Sequence, residues 1–199
     1  MKKLMLIVLC VAFMVCGCKI RTISDGKPPK DGVIKSTRKM MNGETMEMEE
    51  HFKNSQLVRE VMRFDNKNLA YERFFRTDEH PTDSMRNYYR NGQLSLLLVM
   101  NDTNRVILRG YYENGTLQAY GDTAKNIEYF DNGKKQSETL SKTGQIYKIL
   151  RWYRNGLKAE ESDWWNDRRN GIWREWDSTG TTVRNERYRD GQLVTAIHK

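Results

Sequence analysis

Tyr88-Tyr89-Arg90-Asn91-Gly92-Gln93-Leu94 decides the fold, because the chain goes on to repeat it. Tyr111-Tyr112-Glu113-Asn114-Gly115-Thr116-Leu117 follows, then Tyr129-Phe130-Asp131-Asn132-Gly133 and Trp152-Tyr153-Arg154-Asn155-Gly156-Leu157. Weaker copies are Trp176-Asp177-Ser178-Thr179-Gly180 and Arg187-Tyr188-Arg189-Asp190-Gly191-Gln192-Leu193. From Gly92 the intervals to Gly115, Gly133, Gly156 and Gly180 are 23, 18, 23 and 24 residues. Self-similarity at such a period is the signature of a repeat architecture and outranks local propensity.

Each copy reads mechanically as strand, tight turn, strand. Asn-Gly and Asp-Gly suit the two central positions of a type I′ turn, where both residues need positive φ. The two aromatics before the turn point to opposite faces of a strand, because side chains alternate. Met85, Leu108, Ile149 and Trp173 stand seven residues before their glycines and share a face with the aromatic three before. About two strands fit into one period, so each period is one hairpin plus its return connection. The expected fold class is all-β: an elongated antiparallel β-meander of repeated hairpins in a single sheet.

Outward from the clear copies, residues 31–80 read as degenerate hairpin repeats and 81–199 as the repeat sheet proper. Phe52-Lys53-Asn54-Ser55-Gln56-Leu57 and Phe64-Asp65-Asn66-Lys67-Asn68-Leu69 match each other at a spacing of 12. Strands are expected near 33–41, 45–52, 57–64 and 69–76. A Glu-rich helix over 44–52 is the alternative there. Residues 77–84, with His80-Pro81, read as a longer loop and a seam. Leu94 to Met100 is a dense apolar run, expected to form a central, well-covered strand.

The composition suits a thin sheet. Hydrophobic residues make up 38% and charged residues 30%, so Leu, Ile and Val cannot fill a thick core. Five Trp, ten Tyr and six Phe supply large buried areas and cross-strand pairing instead. The formal charge is +8, and removing Lys2 and Lys3 with the leader leaves +6. Basic residues are scattered among acids, which implies a solvated surface or a diffuse attraction to anionic envelope polymers or lipids.

The front of the chain carries an export signal. Met1-Lys2-Lys3 is a charged start, and Leu4 to Val15 is an apolar stretch too short to span a bilayer as a helix. Val15-Cys16-Gly17-Cys18 resembles the bacterial lipobox, which implies cleavage after Gly17 and lipidation of Cys18. Residues 1–17 are then a lipoprotein signal peptide and 18–30 a lipidated tether. A single acyl chain binds a membrane only marginally, whereas two or more hold firmly. Lys19 follows the modified cysteine where retention in the inner membrane prefers aspartate. That analogy favours the outer membrane, facing the periplasm. Cys10, Cys16 and Cys18 are the only cysteines, so the mature chain has no free thiol and no disulfide.

Asn170-Gly171-Ile172-Trp173-Arg174-Glu175-Trp176 and the Tyr-Tyr-x-Asn-Gly-x-Leu copies resemble the bacterial variant of the MORN repeat, of the YwqK antitoxin-like type. The resemblance covers about residues 85–193, and 31–76 more faintly. Asp177, where the second aromatic is missing, and the 18-residue interval depart from the pattern. The resemblance implies an elongated antiparallel sheet and no catalytic residues. The antitoxin name is a label, because fold does not fix function.

The residues nominate no chemistry. His51, His80 and His198 do not stand at metal-ligand spacing, and no phosphate loop or nucleophile elbow occurs. No catalytic residue, metal site or cofactor is expected. Trp164, Trp165, Trp173 and Trp176 form the candidate binding surface, or else they close the end of a thin core. The expected product is a lipid-anchored envelope module that binds or scaffolds a protein or an envelope polymer, and not nucleic acid. The alternative is an immunity or antitoxin-type protein that neutralises a toxin by direct binding.

Overall fold

The computed structural model of the chain describes residues 29–77, 83–100 and 106–196. The leader with Gly17 and Cys18, the tether up to residue 28, the loop around His80-Pro81, and His198 lie outside the described residues. Strands β1 (Gly32–Lys39), β2 (Thr45–Lys53), β3 (Gln56–Arg63), β4 (Leu69–Phe74) and β5 (Asp83–Tyr88) open the fold. β6 (Leu94–Met100), β7 (Val106–Tyr111), β8 (Leu117–Gly121), β9 (Lys125–Tyr129) and β10 (Lys135–Lys142) continue it. β11 (Gln145–Trp152), β12 (Lys158–Trp165), β13 (Arg168–Trp176), β14 (Thr182–Arg189) and β15 (Gln192–Ala196) complete it.

Each strand pairs antiparallel with the next in chain order, giving one open sheet of 15 strands. The all-β meander of hairpins is therefore the architecture. The helix alternative at 44–52 is overturned, because this segment is β2. There Met46 and Met48 turn inward between exposed Thr45 and Glu47, a period of two rather than 3.6. β4 pairs with β5 through Tyr71↔Asn87 and Arg73↔Met85, so the ladder runs on across 77–84.

The two edges of the sheet use different turns. Along one edge, seven described connections share one pattern of backbone bonds. In the first clear copy the Gly92 amide donates to the Tyr89 carbonyl at 2.9 Å, and the Tyr89 amide to the Gln93 carbonyl at 2.8 Å. Met40, Phe64, Tyr112, Phe130, Tyr153 and Asp177 begin equivalent turns. Only the fourth residue has positive φ, as at Gly92 (φ 88°). Asn91, Asn114, Asn132 and Asn155 do not. These are type I turns closed by a bulged left-handed residue, not the expected type I′ turns.

Type I′ geometry belongs to the opposite edge. Two residues of positive φ close four hairpins there: Asn54-Ser55, Thr143-Gly144, Asn166-Asp167 and Asp190-Gly191. The Asp190-Gly191 copy thus sits on the edge opposite the rest of its series. Asn170-Gly171 is no turn at all but lies within β13, where Gly171 (φ 123°) marks an irregularity in the pairing with β12.

One asparagine explains the motif. Asn91 Oδ1 accepts the Gln93 amide at 2.9 Å, which fixes its own turn. Its Nδ2 donates to the Glu113 carbonyl at 3.3 Å in the next turn. Asn132 reaches Arg154 and Asn155 reaches Ser178 in the same way, at 3.3 and 2.8 Å. The tyrosines add a second rail. Tyr89, Tyr112 and Tyr153 hydroxyls donate to the carbonyls of Tyr111, Tyr129 and Trp176, at 2.8, 2.8 and 2.7 Å. Each hydroxyl therefore holds the first aromatic of the following copy.

Packing is thin. Tyr71, Met85 and Leu96 form the central cluster, with Met62, Leu98 and Leu108 against it. The register places Met62, Tyr71 and Leu96 on one face. The expected well-covered strand is β6, but only its Leu96 is buried. No second layer lies over it among the described residues, so each side chain is covered only by its neighbours in the sheet.

Candidate functional site

The four candidate tryptophans do not form one patch. Ser162↔Trp173 and Trp164↔Arg169 pair across β12 and β13, so Trp164 and Trp173 share a face. Trp165 alternates to the other face and is 57% exposed. Trp176 lies at the edge with the glycine turns, with Lys158 Nζ 5.6 Å from its ring centre.

Trp173 is a packing residue. It is buried, with the Arg169 guanidinium 3.2 Å and that of Arg184 4.0 Å from its ring centre. Tyr188 packs beside it at 5.7 Å. A polar relay crosses the same face. Trp164 Nε1 donates to Ser162 Oγ at 2.8 Å, Ser162 Oγ donates to Glu160 at 2.9 Å, and Arg151 pairs with Glu160. Ser162 is fully buried. Burial first, then the hydrogen bond to Glu186, pushes the Tyr188 phenol up. Stacked guanidiniums and rings hold this cluster, while Arg169 Nε and Trp173 Nε1 are buried without a hydrogen-bond partner.

Glu72 is held in ion pairs. Its side chain is 9% exposed and pairs with Arg59 and Arg86, whose guanidiniums lie 5.4 and 5.1 Å from the Phe74 ring centre. No group of three or more His, Cys, Asp or Glu side chains placed to hold a metal occurs among the described residues.

A different place has the form of a site. A shallow groove of about 480 Å³ is lined by Arg109, Tyr111, Leu117, Tyr120, Lys125, Ile127 and Tyr129. Arg109, Tyr120 and Ile127 form one rung across β7, β8 and β9. Ile127 is buried in it. β8 and β9 have five residues each, and they occupy the 18-residue interval of the repeat. The Tyr89 and Tyr112 hydroxyls pin the backbone of Tyr111 and Tyr129, so the repeat ladder sets the positions of two of the three rings.

The groove's charge is partly free. Arg109 is exposed, faces Leu97 and Tyr120 across its neighbouring strands, and has no ion-pair partner among the described residues. Lys125 Nζ stands 5.7 Å from the Tyr120 ring centre. One carboxylate, Asp122, stands beside them. Its Oδ2 accepts the Tyr120 hydroxyl at 2.8 Å, and its Oδ1 accepts the Ala124 and Lys125 amides at 2.8 and 2.9 Å. Burial works to raise this carboxyl, but those three bonds outweigh it and hold it below the usual range. The bond to Asp122, then burial, pushes the Tyr120 phenol up.

Sequence reasoning missed this groove. Its rings belong to three strands, and only the shortened interval before Gly133 marks the place. No family model matches the chain, and no curated protein matches it.

Proposed function

We propose that the protein is a non-catalytic binding or scaffolding module, held to the bacterial cell envelope by lipids on Cys18. The observation that carries this reading is the sheet itself. Fifteen strands held in register by turn-to-turn asparagine and tyrosine bonds present two long faces at fixed spacing. Such a surface suits a partner protein or an envelope polymer laid along it, or a strand added at an edge. The leader supplies the location, with the outer membrane and the periplasmic side as the favoured address. Membership of the MORN-variant repeats is part of the same proposal and rests on the motif.

Fractionation tests the anchor. Cys18→Ala should move the protein from the membrane to the soluble fraction, and unchanged fractionation contradicts it. Crosslinking and pull-down from solubilised envelopes tests the module. A wall polymer or outer-membrane protein supports scaffolding, whereas a toxin supports the immunity alternative.

A further inference from the structure

We infer that the groove over β7–β9 is a binding site for an anionic saccharide, a sugar ring bearing a carboxylate or phosphate. This deepens the binding-module reading and rests on it.

Tyr111, Tyr120 and Tyr129 line a single open groove, and aromatic faces carry negative charge that meets polarised C–H groups favourably. A pyranose presents such C–H groups on its flat face and hydroxyls at its rim. The volume of about 480 Å³ falls within the range of small-ligand sites, about 300–1,000 Å³. Arg109 then selects for charge. Several half-buried guanidiniums on this sheet pair with a carboxylate, as Arg59 and Arg86 do with Glu72 and Arg73 with Asp83. Arg109 faces a leucine and a tyrosine instead, so its fork is available to a ligand anion. Lys125 adds a second cation on the same wall.

The nearest carboxylates leave the Arg109 guanidinium unpaired, although the charge of Asp122 partly offsets that of Lys125. Asp122 is occupied by the Tyr120 hydroxyl and two backbone amides, which also fixes the Tyr120 ring. Glu138, across from Ile127, pairs with Lys135 Nζ at 2.7 Å. A peptide cannot add here as a further strand, because the flanking β6 and β10 already pair with the groove's strands. The groove therefore offers side chains rather than a free backbone edge.

The test titrates the full-length lipoprotein in a sugar-free polyoxyethylene detergent, read by calorimetry. The probes are trigalacturonate and glucose 6-phosphate, with galactotriose and inorganic phosphate as controls. At least one of the charged sugars should bind more tightly than galactotriose and than phosphate alone. Arg109→Gln should weaken it about tenfold, the loss of one charge-assisted contact. Raising salt from about 0.05 M to about 0.5 M should weaken it further. Arg187→Gln, an exposed cation on β14, should leave it unchanged. Which charged sugar binds distinguishes carboxylate from phosphate recognition. Galactotriose binding as tightly, phosphate alone binding as tightly, an Arg109→Gln protein binding normally, or no binding of either charged sugar would each overturn the assignment. The membrane fractionation of Cys18→Ala is independent of all these readouts, so loss of this site and loss of the anchored-module reading can be told apart.

Discussion

Asn155 does two jobs, and substitution separates them. Its Oδ1 accepts the Leu157 amide at 3.0 Å, and its Nδ2 donates to the Ser178 carbonyl at 2.8 Å in the following turn. A typical net hydrogen bond contributes about 0.5–1.5 kcal/mol, and both of these are solvent-exposed, which favours the low end. Asn155→Ala loses both and should cost about 1–2 kcal/mol. Asn155→Asp keeps the acceptor and loses only the donor, so it should cost about half as much. Urea unfolding of the chain from Lys19, followed by tryptophan fluorescence, reads the total. Repeat arrays unfold in parts, so native-state hydrogen exchange of the Gly156 and Leu157 amides should be measured beside it. Faster exchange localised to β11–β14 is expected. If both variants matched the parent in both assays, the turn asparagines would be surface decoration and the ladder would hold nothing together.

Other substitutions probe the turns, the core and the charges. Lys67 occupies the left-handed position (φ 69°) that glycine fills elsewhere, so Lys67→Gly should stabilise by up to about 1 kcal/mol in a denaturant titration. The exposed pair of Lys67 with Glu47, worth about 0–1 kcal/mol, sets the shortfall. Trp173→Ala should cost about 3–5 kcal/mol, while Trp165→Ala should stay within about 0.5 kcal/mol, both read by thermal unfolding. Burial, then repulsion from Glu50 across the ladder, raises the Glu60 carboxyl. The folded state then holds this proton more tightly than the unfolded chain, so stability falls as pH rises from 4.5 through the raised value. Glu60→Gln should flatten that slope and be more stable at neutral pH, as measured by urea midpoints across the range.

The fold was legible because its signal is periodic. Glycine at a fixed spacing, aromatics just before it and Met46/Met48 alternating with glutamates all point to hairpins in series. The turn type was not legible from Asn-Gly alone. Both geometries place glycine at positive φ, and the strand pairing decides how many residues close the loop. The position of Asp190-Gly191 on the far edge is lost for the same reason. The turn at Lys67 was legible without a glycine, because Asp65-Asn66 and Asn68 stand between two apolar runs. The tryptophans were partly legible: Trp164 and Trp165 are adjacent in a strand and must part to opposite faces. The Arg109 groove needed the register, because no spacing along the chain brings Tyr111, Tyr120 and Tyr129 together.

A distance between the first and last glycine-edge turns tests the single extended sheet most directly. The chain from Lys19 has no cysteine, so two can be introduced, at Met41 and Thr179, and spin-labelled. Met41 is 93% exposed, and Thr179 lies in the turn before β14. Twelve strand spacings of about 4.8 Å separate the two turns, giving a distance of about 50–60 Å after allowance for twist. A pulsed electron–electron resonance distribution centred there is the result expected. A chain of this length packed as a compact body spans only about 40 Å, so a mean distance well below that would contradict the one-layer ribbon.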